Sequence, residues 1–238
     1  MTVAPVVAAT APSTLPDREP DRTARVTGAL YLALAVTGGI GFLLVRPMLA
    51  DADPSVTLAN LQERETLARV GISLELGLVV FQSLAALWFY RLFRGVDAFA
   101  AAAIAVFGTV NAVAVLSSAA FLATALEAAL GGAGGGAATP QLMYEVSENF
   151  WAVGNLFFGL WLVPMGWCVL RTATMPRLLG LLLVVGGAGY VLSAFVSFLL
   201  PDATSVTGAL VVPATVGELW MVGYLLVRGT GRTSTADA

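Results

Sequence analysis

Two carboxylates, Glu75 and Glu218, stand inside blocks that are otherwise apolar enough to cross a membrane. At the centre of a spanning helix a carboxylate costs several kcal/mol unless it faces protein, finds partners or meets water. Such a group is equipped to move protons or ions, to grip a polar ligand, or to tie helices together as a hydrogen-bonded acid. Three amides extend the constellation. Gln82 follows Glu75 by seven positions and so shares its helix face, Asn111 falls near mid-depth of the third block, and Asn155 lies in the fourth. Together with Glu148 at the outer end of the fourth block, these groups are expected to line one polar seam opening outward.

Helical rise sets their depths. At about 1.5 Å per residue, Glu218 lies about 15 Å from Arg228, close to the midplane, whereas Glu75 and Asn155 lie about 24 Å from Arg91 and Arg171. The resulting difference of about 9 Å between Glu75 and Glu218 argues against joint acid and base work.

The elements that must position these residues follow from composition. The chain has 238 residues, 58% hydrophobic and 11% charged, against about 25% charged in soluble domains. Four blocks, Val26 to Val45, Ala98 to Leu126, Asn149 to Leu170 and Leu178 to Pro201, carry no charge. Val70 to Tyr90 and Ala203 to Val227 qualify with one glutamate each. All reach the roughly 20 residues that cross about 30 Å of hydrocarbon. The fold expected is therefore all-α, a polytopic bundle of six transmembrane helices over residues 25–229. Residues 1–24 and 230–238 are expected to be cytosolic tails, the first of them disordered and lacking the basic start of a signal peptide.

Arginine supplies every basic side chain. Nine arginines (positions 18, 22, 25, 91, 94, 171, 177, 228 and 232) fall on the side of the termini and three, Arg46, Arg64 and Arg69, on the other. By the positive-inside rule both termini are cytoplasmic. The all-arginine usage points to a GC-rich bacterium and hence to its inner membrane. A single cysteine, Cys168, and the absence of histidine exclude an intrachain disulfide and the usual imidazole metal and catalytic pairs. No metal, cofactor or nucleic-acid partner is expected. The partner expected is the lipid bilayer, with room for a small-molecule or lipid ligand.

Asp53 before Pro54 reads as an N-cap opening a short helix that covers the outer end of the bundle, with Leu58 and Leu61 on one side. The glycine run from Gly131 to Gly136 lacks the Gly-Lys-Ser/Thr of a phosphate loop and reads as a linker. Small residues at four-residue spacing, Ala33, Thr37 and Gly41 in the first span and Gly189, Ser193 and Ser197 in the fifth, are expected at packing seams. Pro164 and Pro213 predict a kink or, for Pro213, a first-turn position. Trp88, Phe89, Tyr90, Phe150 and Trp151 suit the membrane interfaces. A faint parallel repeat links Arg25-Val-Thr-Gly28 to Arg177-Leu-Leu-Gly180.

The segments TARVTGALYLALAVTGGIG, NLFFGLWLVPMGWCVLR, MPRLLGLLLVVGGAGYVLSAFVSFLLP and PATVGELWMVGYLLVRG, in that order, resemble the bacterial membrane-protein family catalogued as domain of unknown function 4386. The resemblance runs from about Arg25 to Gly229. It implies a six-helix integral membrane protein and places Glu218 in the family's final helix, and it implies no activity. Two functional expectations result. One is a non-enzymatic structural or regulatory membrane protein; the other is a small transporter or proton-coupled permease using Glu218 with Glu75, Gln82, Asn111 and Asn155.

Overall fold

The structure, a computed structural model, describes residues 18–131 and 136–229. Among these residues the regular elements are helical. The α-helices are α1 (Arg18–Gly39), α2 (Pro54–Glu63), α3 (Glu65–Phe93), α4 (Ala98–Ala129), α5 (Ala138–Arg171), α6 (Arg177–Leu199) and α7 (Thr204–Arg228). A π-helical turn, Ile40–Val45, and a 3-10 turn, Arg46–Met48, extend α1. Six helices are long and apolar enough to cross a membrane, the first reaching from Asp21 to Met48. The protein is thus a multi-pass, integral membrane helix bundle. Helix α1 begins at Arg18, inside the stretch expected as a tail. Pro20 falls in its first turn, where a missing N–H has no helical partner to lose. The rest of that expected tail, the C-terminal one, and residues 132–135 of the glycine run lie outside the described residues.

The spans pack in chain order, α1 on α3, α3 on α4, α4 on α5, α5 on α6 and α6 on α7, and α1 meets α7 to close the ring. Gly28 of α1 abuts Leu225 and Leu226 of α7, so α1 starts and α7 ends on one face, here the near face. The opposite, far face carries α2. Asp53 accepts from the Ser55 N–H at 2.8 Å ahead of Pro54, capping α2 as its sequence requires. Leu61 is buried under α2 with Val45, Leu122 and Tyr144.

Leucine, valine and phenylalanine crowd the outside, with Phe99 86% and Leu43 67% exposed. Such a surface requires lipid around it. Inside, the largest cluster centres on Trp161, whose ring meets Tyr31 and Phe89 edge-on at 5.6 and 5.7 Å. Glycine sets the closest helix contacts. Gly159 and Gly166 of α5 face Gly187 and Gly180 of α6, where an added Cβ would stand 2.5 and 2.6 Å from the opposing carbonyl oxygens. Gly186 and Gly189 of α6 receive Ala214 and Leu210 of α7 in the same way.

The expected seam of Ala33, Thr37 and Gly41 meets α3, since Gly77 faces the Thr37 methyl and Gly41 faces Leu74. In the other expected set Gly189 packs directly on Leu210 of α7, and Ser193 and Ser197 line the cavity described below. Pro213 lies well inside α7 and Pro164 inside α5, so the first-turn alternative for Pro213 is not realised. The segment from Thr204 to Val212 is apolar enough to continue the helix ahead of it. Phe89 and Trp151 depart from their expected interfacial placement. Phe89 is fully buried, and Trp151 turns inward over an arginine.

Candidate functional site

The expected single polar seam is divided into two sites with different partners. The first is a closed cluster at the far-face end of α1. The widened turn there bonds the Arg46 N–H to the Gly41 carbonyl, and Pro47, which has no N–H to donate, follows at once. Val45 and Arg46 both turn inward. The Arg46 guanidinium meets Glu75 of α3 through Nη2 at 2.7 Å and Nε at 2.8 Å, with the side chains 4% and 3% exposed. Nη2 also lies 2.6 Å from both Ser118 Oγ of α4 and Ser147 Oγ of α5. Tyr144 and Trp151 place their rings 5.6 and 5.8 Å from the guanidinium carbon, and the Tyr144 hydroxyl donates to the Arg46 carbonyl at 3.0 Å. Four helices therefore converge on one charge pair. Breaking it would strand a charge in a site walled off from water.

Gln82 and Asn111, one turn or more deeper, are 0% and 1% exposed. Their amide atoms find no hydrogen-bond partner among the described residues. Asn111 points toward α5 beside Gly154.

The second site is a cavity of about 780 Å³ lined by α1 and the turn after it, α5, α6 and α7, with Leu78 of α3. Near the near face α1 and α7 touch at Gly28, but toward the far face they part, and the cavity fills the space between them. The Tyr31 hydroxyl of α1 donates to Glu218 Oε1 of α7 at 2.5 Å, closing its floor. Tyr31 and Ser193 are buried, whereas Glu148, Ser197 and Gly208 at the rim are exposed. The cavity thus opens toward the far face and, between α1 and α7, toward the surrounding lipid, where its lining residues Ala35, Thr215 and Leu219 are exposed; it ends at Glu218, near the middle of α7. Asn155 and Tyr190 line it together with the apolar walls of Phe42, Phe158 and Leu219.

Of the sequence-derived candidates, Glu218 and Asn155 share this cavity, together with Glu148 at its rim. Glu75 belongs to the arginine cluster, and Gln82 and Asn111 are not among the cavity's lining residues. Arg46, Ser118, Ser147, Tyr31 and Tyr190 escaped the sequence reading. A signal for Arg46 was present: it ends the first span at the same membrane edge that Glu75 enters after the short covering helix, so hairpin geometry brings the opposite charges to one depth. Tyr31 had no comparable signal, because its partner lies 187 positions away.

A family model described as Domain of unknown function (DUF4386) matches residues 26–229. The chain belongs to this family. The match takes in the first span from Val26, the other five spans, both polar sites and the covering helix α2. No curated protein and no solved structure matches the chain.

Proposed function

We propose that this protein of the domain of unknown function 4386 family is a non-enzymatic, ligand-binding protein of the bacterial inner membrane, with both ends in the cytoplasm. It takes a small molecule or a lipid into the cavity between α1 and α7. The observation that carries this reading is the Tyr31–Glu218 pair at the floor of a cavity of about 780 Å³ with exposed polar groups at its rim. Ligand sites are concave, mostly apolar, and carry a few placed polar groups, within a range of about 300–1,000 Å³. The Arg46 cluster is the structural complement, fixing the far end of α1 to α3, α4 and α5.

Enzymatic use of the two glutamates is disfavoured. Glu75 and Glu218 take different partners, and no hydrogen bond or ion pair joins them among the described residues. A second reading, a small permease, is supported by the depth of the site: a cavity reached from the far face and ending at an ionisable group near mid-membrane is how substrate sites of many secondary transporters are placed.

Access distinguishes a binding cavity from a packing defect. In a Cys168→Ala background, Ser193→Cys should react with N-ethylmaleimide in the folded, detergent-solubilised protein, and Ser118→Cys should stay unreacted until the protein is unfolded. Equal protection of both thiols would mean that the cavity is closed to small molecules, and the reading would fall.

A further inference from the structure

Resting on the ligand-binding reading, we infer that the cavity selects a hydrophobic organic cation, with the positive group held at Glu218 and the apolar part between the aromatic walls. Among the described residues lining the cavity, the side chains able to carry charge are two carboxylates, Glu218 at the floor and Glu148 at the rim, and two phenols, Tyr31 and Tyr190. No arginine lines it, and the chain contains neither lysine nor histidine. Arg46 lies behind Trp151, a lining residue, and is already matched by Glu75. The cavity therefore has acidic character without a countercharge of its own. In surroundings of low dielectric constant such a bias acts far more strongly than it would in water.

Geometry adds to the charge argument. The Tyr31 hydroxyl occupies Glu218 Oε1 alone, leaving the second carboxylate oxygen for a ligand. Tyr31, Phe42, Phe158 and Tyr190 line the same space, together with Trp151, whose ring is already set against Arg46 and Phe42. Aromatic faces attract a desolvated cation within about 6 Å of the ring centre. An anion would meet two carboxylates and ring faces of the same sign. A neutral apolar molecule would leave Glu218 with no new partner, so charge is the property the site discriminates.

The test uses two probes of nearly equal shape and opposite charge, tetraphenylphosphonium and tetraphenylborate. Equilibrium dialysis of the purified full-length protein in a neutral detergent, against detergent alone and with each probe in a separate cell, should show saturable binding of tetraphenylphosphonium and none of tetraphenylborate. Glu218→Gln should weaken it at least tenfold while leaving the thermal melt cooperative. Ser193→Trp, which sets a bulky ring into the cavity and keeps the carboxylate, should also weaken it, and it serves as the decisive variant if Glu218→Gln does not fold. Saturable tetraphenylborate binding, or undiminished tetraphenylphosphonium binding in either folded variant, would overturn the inference. Absence of saturable tetraphenylphosphonium binding in protein whose Ser193→Cys thiol is labelled would also overturn it, while leaving the broader ligand-binding reading in place. An unlabelled Ser193→Cys thiol would remove both.

Discussion

The phenol of Tyr31 on α1 and the carboxylate of Glu218 on α7 meet at 2.5 Å, at the depth where the two helices begin to separate. Below this contact α1 and α7 touch through Gly28 and Leu225; above it lies the cavity. The pair therefore marks the boundary between packed bundle and binding space.

Tyr31→Phe removes the donor and leaves the carboxylate without its partner. The expected cost is about 1–3 kcal/mol. Because Glu218→Leu removes the acceptor of the same bond, a double-mutant cycle should return a coupling of about 1 kcal/mol, as for polar contacts between spans in other membrane proteins. Reversible unfolding in mixed micelles measures both, and additive effects would show that the contact contributes nothing.

The Arg46–Glu75 pair should respond asymmetrically. Arg46→Met alone or Glu75→Leu alone strands one buried charge and should cost about 3–5 kcal/mol. The double variant should be substantially more stable than the sum of the two losses implies. The same unfolding assay decides it, and a double variant as unstable as that sum would refute the pairing argument.

The glycine contacts make a steric prediction. At Gly186 an added Cβ would stand 2.3 Å from the Ala214 backbone nitrogen, whereas at Gly223 it would meet nothing within 4 Å. Gly186→Ala should cost at least about 1–3 kcal/mol through overpacking. Gly223→Ala should be neutral or stabilising by up to about 1 kcal/mol, since alanine loses less freedom in a helix. Comparable thermal melts for the two variants would contradict the α6–α7 packing.

Asp97 provides a pH-dependent contact at the near face. Its Oδ1 accepts from the Ala100 N–H at 3.1 Å, capping α4, and its Oδ2 accepts from Trp167 and Arg171 of α5 at 3.2 and 3.0 Å. These interactions, the Ala100 bond first, hold its carboxyl below the usual carboxylate range. A lowered folded value means that the contribution is fully present above the unfolded value of about 3.9 and is lost as pH falls through the folded one. Asp97→Asn should therefore be less stable than wild type at pH 7, with the gap narrowing as pH falls below about 4. A gap constant across that window would show that the charge plays no part.

Local periodicity and composition made much of this fold legible. The six apolar blocks locate the spans because each covers the membrane by itself, and Asp53-Pro54 announces α2 because capping is decided within one turn. Glu75 and Glu218 stand out because a carboxylate among leucines is costly wherever it lies. Their partners were hidden for the opposite reason. Arg46 lies 29 positions from Glu75 and Tyr31 lies 187 from Glu218, so each contact is set by how whole helices rotate and tilt. The α5–α6 glycine pairs were similarly obscured, because Gly159 and Gly166 are two turns apart and their meaning depends on which helix lies opposite.

The most direct test of the account is the sidedness of the cavity. Asn155→Cys in the Cys168→Ala background, reconstituted into sealed vesicles of determined orientation, can be exposed to a membrane-impermeant maleimide from one side at a time. Labelling from the side carrying α2, and protection from the side carrying Arg228, is the expected result. Labelling only from the Arg228 side, or from neither side, would contradict a cavity that opens at the far face and ends at Tyr31 and Glu218.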